Sequence, residues 1–248
     1  MARARAEQPP LLRFRGAPPG MEAFAPAALV PEGVDPAAVT FELPGRVAQL
    51  APLEAMPVRA GAAYLRLSLP ETTPPGSYEG TARLGKNEFR VVAEVEPAPS
   101  LQITPTHLSL EAEPGAELEV HFNALNDGNV PLEIRRTYAF GVFADEGIEE
   151  AFGAAFQAET ATGERRFDRF VETLADHHGG LVRVQVAEGD GVLEPGDLRQ
   201  LRLSLHLPTE LEAGRTYAGT WSLPGLNYYV QAVVAPTPAR TTRRRKAG

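Results

Sequence analysis

Gly76–Pro99 reads GSYEGTARLGKNEFRVVAEVEPAP, and Gly214–Pro238 reads GRTYAGTWSLPGLNYYVQAVVAPTP. At a constant offset of 139 residues Tyr78 meets Tyr217, Gly80 meets Gly219 and Thr81 meets Thr220. Leu84, Phe89, Val91, Ala93 and Val95 then meet Leu223, Tyr228, Val230, Ala232 and Val234, and Pro97 and Pro99 meet Pro236 and Pro238. Upstream, Arg59–Glu71 (RAGAAYLRLSLPE) faces Glu194–Glu210 (EPGDLRQLRLSLHLPTE) across small gaps. A repeat this long has the spacing of whole domains, not of solenoid or propeller units.

Inside each copy the pattern has period 2. Leu65, Leu67 and Leu69 alternate with Tyr64, Arg66 and Ser68, and Leu201, Leu203, Leu205 and Leu207 alternate with Arg202, Ser204 and His206. Alternation sends leucines to one face and polar groups to the other, as in a half-buried antiparallel strand. Short strands with Pro and Gly turns between them indicate a β-sandwich or barrel. In front of the second copy, strands are expected around Leu108–Leu110, at Glu117–Asn123 and at Leu132–Tyr138, with a turn at Glu113–Gly115 and a loop at Asn126–Asn129. The tyrosines of SYEG and TYAG are expected to bury their rings and bond a nearby backbone group through the hydroxyl, as in a tyrosine corner.

The run PGAELEVHFNALNDGNVPLEI, with LEPGDLRQLRLSLHLPTELEAGRTYAGTWSL after it, resembles the immunoglobulin-like β-sandwich modules of bacterial surface and scaffold proteins. It is similar to the NEW3, CARDB and ASH/Hydin types. The N-x-G-N-x-P-L loop, the PG…L-x-L-x-L strand and the Y-x-G step carry the likeness, over about 100–144, 181–236 and the later half of the first copy. The resemblance implies a non-catalytic interaction or spacing module; such motifs speak to architecture more than to function. The expected fold is mainly β, with two immunoglobulin-like antiparallel sandwiches. Residues 1–19 read as a basic Pro-rich arm, 20–98 as a first and shortened sandwich, 100–236 as a second, and 237–248 as a basic disordered tail.

Between about 143 and 180 the period changes. Ile148, Ala151, Phe152, Ala155 and Phe156, then Phe167, Phe170, Val171 and Leu174, recur at helical spacing, so a helical hairpin is expected inside the second sandwich. Thr162 is a candidate cap and Gly179–Gly180 a terminator. Two readings stay open. The phenylalanines close one end of the sandwich or cover an edge strand, or Ile148, Phe152, Phe156, Phe167 and Phe170 anchor a protein partner.

Charge is unevenly spread. The first 15 residues carry +3 and the tail, with Arg243, Arg244 and Arg245, carries +5, which leaves −16 on the body of a chain whose net charge is −8. An acidic body does not suit nucleic acid, whereas the basic tail could meet an anionic surface. No stretch of 18 apolar residues is present, so no membrane insertion is expected. The arginine-rich start lacks the apolar run of a secretory signal. A cytoplasmic location is expected, with non-classical export as the alternative.

Candidate chemistry is sparse. The chain has no Cys, which excludes disulfides, thiol nucleophiles and thiolate metal sites. His177 and His178 are adjacent, and neighbours on a helix diverge by about 100°, so they are not a chelating pair. The loops with Asn126, Asp127 and Asn129, and with Glu188, Asp190, Glu194 and Asp197, match no calcium loop and read as turn chemistry. No G-x-S-x-G, phosphate-binding loop, G-x-G-x-x-G or H-E-x-x-H occurs. No catalytic, cofactor or metal site is therefore expected. The expected function is that of a structural or interaction subunit that meets protein partners, as part of a larger assembly or a homo-oligomer. The alternative is a carbohydrate-binding or adhesive accessory module, for which Trp221 and six tyrosines would have to supply the aromatic platform.

Overall fold

The computed structural model describes residues 9–26, 28, 30, 37–41, 49–58, 62–157 and 163–235. The protein is mainly β and divides into two compact units. The first is Met1–Ser100 together with Asn126–Leu132 and Glu194–Asp197, and the second is Leu101–Leu125, Glu133–Leu193 and Leu198–Gly248.

Unit 1 contains β1 (Leu11–Gly16), β2 (Gly20–Pro26), β3 (Ala37–Phe41), β4 (Gln49–Val58), β5 (Ala62–Ser68), β6 (Gly76–Leu84) and β7 (Asn87–Val95). The strand order is β1-β7-β6-β3-β4-β5-β2. Two layers arise from this one ladder because β4 changes partner along its length. Its start pairs with β3 and its end, from Leu53 on, with β5. Phe14, Met21, Phe41, Leu53, Leu65, Leu67 and Phe89, from all the layers' strands, meet in a single core.

The residues read as a basic arm include a strand. β1 runs parallel to β7, with Leu11 opposite Arg90 and Gly16 opposite Val95. Leu12 and Phe14 point into the core, so Arg13 and Arg15 fall on the solvent face, where they meet Glu94 at 3.9 Å and Glu96 at 2.6 Å. The arginines belong to an alternating strand and take their charge partners from its neighbour. Such exposed pairs contribute little, about 0–1 kcal/mol each; the buried Leu12 and Phe14 hold the strand.

Unit 2 contains β8 (Leu101–Thr104), β9 (His107–Ala112), β10 (Glu117–Asn126), β11 (Leu132–Ile134), β12 (Thr137–Ala144), α1 (Gly147–Gln157), α2 (Gly163–Asp176), β13 (His178–Glu188), β14 (Gly191–Leu193), β15 (Leu198–His206), β16 (Thr216–Leu223) and β17 (Leu226–Val234). The main ladder is β8-β10-β15-β13-β12-β16-β17-β9, with β11 and β14 as a separate pair. The expected strand Leu132–Tyr138 is thus two strands, broken at Arg135–Arg136, where the Tyr138 hydroxyl accepts the Arg135 N–H at 2.7 Å.

The second ladder repeats the first. β13 switches from β12 to β15 as β4 switches from β3 to β5, and β9 runs parallel to β17 as β1 does to β7. The single tryptophan, Trp221, lies in this core among Phe122, Tyr138, Phe140 and Tyr228. The strand-switching topology with a parallel first-to-last pairing is that of immunoglobulin-like sandwiches.

The repeated sequence occupies β6–β7 and β16–β17. Tyr78 pairs with Ala93 and Tyr217 with Ala232, in the same register. Both tyrosine rings are buried. The Tyr78 hydroxyl donates to the Pro74 carbonyl at 2.7 Å, while the Tyr217 hydroxyl accepts the Glu212 N–H at 3.1 Å. Two residues on, the glycines mark a close approach to the neighbouring strand. A Cβ on Gly80 would lie 2.5 Å from the Thr40 carbonyl oxygen, and one on Gly219 2.4 Å from that of Gly141.

Gly80→Ala and Gly219→Ala are each expected to destabilise the protein by at least the roughly 1–3 kcal/mol typical of overpacking. Urea unfolding followed by circular dichroism checks the first, and by Trp221 fluorescence the second. Burial also pushes the Tyr228 phenol up to about 12, and its hydroxyl donates to the Pro105 carbonyl at 2.8 Å. The folded state therefore favours the neutral form over an unfolded phenol that titrates near 10. This contribution is complete below about pH 10 and is lost as pH rises towards about 12. Melting temperatures taken across that window are expected to fall less steeply for Tyr228→Phe than for the parent.

Candidate interaction surface

The two helices between β12 and β13 form the hairpin that the change of period announced. Carboxylates Glu149 and Glu150 sit in the first turn of α1, where the helix dipole favours them. Gly147, Ala151 and Ala155 recur every four residues and are buried. The stripe beside them is not. Ile148 is 52% exposed, Phe152 50% and Phe156 68%; on α2 Phe167 is 66% and Val171 46% exposed. α2 has no buried residue, although Phe170 and Leu174 are half-buried. The Phe152 ring lies 4.8 Å from that of Phe170 and 6.4 Å from that of Phe156.

The reading in which these phenylalanines close the sandwich or cover an edge strand is therefore corrected. Small residues, not aromatic ones, take the inside of α1, and the rings are left facing solvent.

The two histidines fasten the base of the hairpin. His177 Nε2 meets Glu150 at 2.8 Å, and the His177 carbonyl accepts the Ala144 N–H at 3.0 Å. Gly147 has no room for a side chain, because its Cβ would lie 2.5 Å from that of His177. His178 already belongs to β13, and its ring packs 5.1 Å from that of Phe143. Among the described residues no group of three or more His, Asp or Glu is placed to hold a metal ion.

The candidate loops are occupied by backbone bonds. Asn126 Oδ1 accepts the Gly128 N–H at 3.1 Å, and its Nδ2 donates to the Val130 carbonyl at 2.9 Å. Asn129 Oδ1 accepts the Ala98 N–H at 2.7 Å and its Nδ2 donates to the Glu96 carbonyl at 2.9 Å. Asp190 meets Arg136 at 3.3 Å, and Glu188 pairs with Arg202.

Beside the hairpin base, the outer faces of β12, β16 and β17 form a groove of about 540 Å³. Phe143, Ala218, Thr220 and Tyr229 line it, and Ile148 of α1 closes one side. Ile148 thus joins the groove to the exposed stripe one turn further along α1. The structure brings together Ile148, Phe152, Phe156, Phe167 and Phe170. Arg243, Arg244, Arg245 and Thr162 lie outside the described residues. The groove residues Phe143 and Tyr229 were not singled out as site residues. Their signal was the alternation of their strands, which puts Tyr228 inside and Tyr229 outside.

The charges around the patch are polarised along the hairpin. Asp145, Glu146, Glu149, Glu150, Glu172 and Asp176 cluster at its base. Arg165, Arg166 and Arg169 lie towards its tip, with Glu164 and Asp168 among them. Arg166 Nε is buried without a hydrogen-bond partner.

No protein-family model matches the sequence, and no curated protein does. Among solved structures the chain is similar to a Porphyromonas gingivalis protein of unknown function, at 10% identity and a TM-score of 0.28, with 89% of this chain and 96% of that one covered. It is similar to an I-band fragment of titin at 9% identity and a TM-score of 0.33, with 92% and 62% covered. It is also similar to the Yersinia pseudotuberculosis adhesin InvE at 13% identity and a TM-score of 0.25, with 92% and 57% covered. The chain thus spans about three fifths of the titin fragment and of the adhesin. Likenesses this distant carry no functional weight; the immunoglobulin-like assignment stands on strand order and pairing.

Proposed function

We propose that the protein is a non-catalytic interaction subunit, in which two immunoglobulin-like units in tandem present a helical hairpin as the docking element. One observation carries the reading: Ile148, Phe152, Phe156, Phe167 and Val171 form a stripe that no other part of the described chain covers. Contiguous exposed apolar surface on a folded protein marks a binding site more often than chance, and aromatic anchors supply most of the energy at such sites. The finer likeness to NEW3, CARDB or ASH/Hydin modules fits this role. The alternative of a carbohydrate platform is less well supported, because Trp221 is 2% exposed and its ring is committed to the core.

The hairpin can be removed cleanly, since its two ends meet at Gly147 and His177. Replacing 147–176 by a short Gly-Asn turn is expected to keep the β circular dichroism signal and to abolish capture of the partner from an extract of the source cells. Phe152→Ser with Phe156→Ser is expected to do the same with both helices intact. Undiminished capture by the two variants would contradict the proposal.

A further inference from the structure

We propose that the partner of the hairpin is a second copy of this chain, the two hairpins packing antiparallel into a four-helix bundle. The inference rests on the reading of the hairpin as a docking element and adds the identity of its occupant.

A two-fold contact requires one surface to be complementary to itself. The hairpin meets this requirement in both shape and charge. Its apolar residues lie at the middle, with Phe152 on α1 level with Phe170 on α2, where their rings touch. A two-fold axis at that level sets Phe152 against its own counterpart. Ile148 and Phe156 lie one turn to either side, about 6 Å along the axis, so each faces the other across the interface.

The same rotation brings the tip of one hairpin to the base of the other. Arg165 and Arg169 then lie over Glu146 and Glu149 of the second copy. The opposite arrangement, base to base, would bring together six carboxylates from each copy, an unfavourable contact. Charge thus selects the antiparallel pairing, with Glu164 and Asp168 as the acidic groups left at the tip.

Helix architecture points the same way. An amphipathic helix buries its stripe against other elements, yet α2 carries Phe167, Phe170, Val171 and Leu174 with no residue buried. Two helices cannot enclose a core between them, whereas four can. Covering the five exposed apolar side chains on both copies would remove on the order of 1,000 Å² from water, at the lower end of specific interfaces. The dimer is accordingly expected to dissociate on the order of micromolar concentrations.

Sedimentation equilibrium of the full chain across a concentration series tests this. A reversible dimer is expected for the parent, and at least a tenfold weaker one for Phe152→Ser with Phe156→Ser. Glu146→Lys with Glu149→Lys, and separately Arg165→Glu with Arg169→Glu, are each expected to weaken self-association at least tenfold. Mixed in equal amounts, these two charge variants are expected to form a heterodimer, because each restores half of the opposed contacts. A parent that is monomeric throughout, or charge variants that fail to pair with each other, would overturn the second-copy proposal. In the first case, loss of a captured protein from the hairpin-replaced variant would still leave the docking reading standing, with a different occupant. A dimer that survives replacement of the hairpin would overturn this proposal too, by placing self-association elsewhere.

Discussion

Both units depend on the same close approach. In β6 and in β16 a glycine passes so near the carbonyl oxygen of the strand beside it that no side chain fits, at Thr40 in one unit and at Gly141 in the other. Two residues earlier a tyrosine fills the core and ties its hydroxyl to the backbone that leads into the strand. The glycine sets how near the strands come, and the tyrosine sets how deep the strand sits. The final hairpin of each ladder is positioned by these two residues, and the parallel strand that pairs with it, β1 or β9, has its place only once that hairpin is fixed. The repetition at an offset of 139 residues is the trace of this constraint.

That constraint explains what could be read before any coordinates. Leucines alternating with Arg, Ser and His gave the faces of β5 and β15, because a half-buried strand permits few other patterns. Tyr78 and Tyr217 were legible as core residues because the repeat preserved them beside their glycines. The hairpin was legible because its period changed. The face that α1 buries was not legible, since hydrophobicity alone would put Phe152 and Phe156 inward. Packing chose Gly147, Ala151 and Ala155, where small residues allow close contact. β1 was missed for another reason: Arg13 and Arg15 read as a charge run, although Leu12 and Phe14 between them already alternated.

The contrast between the sandwiches and the hairpin separates stability from function. The strands of unit 2 pair in the same order as those of unit 1, which has only residues 42–48 between β3 and β4. The helices therefore add nothing that the ladder requires. They are fastened at their base through His177, Gly147 and Glu150, and their rings face outward. An element that costs solvent-exposed aromatic surface and is not needed for the ladder is where a role in binding is most naturally sought, whereas turn residues such as Asn126 and Asn129 serve the backbone.

The central claim is that the hairpin is an addition to a ladder that closes without it. Hydrogen exchange measured on dilute protein tests this most directly. The account predicts that amides of β16 and β17 exchange only through global opening, while those of α1 and α2 exchange by local opening at rates at least a hundredfold higher, roughly 3 kcal/mol less protected. Hairpin amides as slow as those of β16 and β17 in the dilute protein would contradict it.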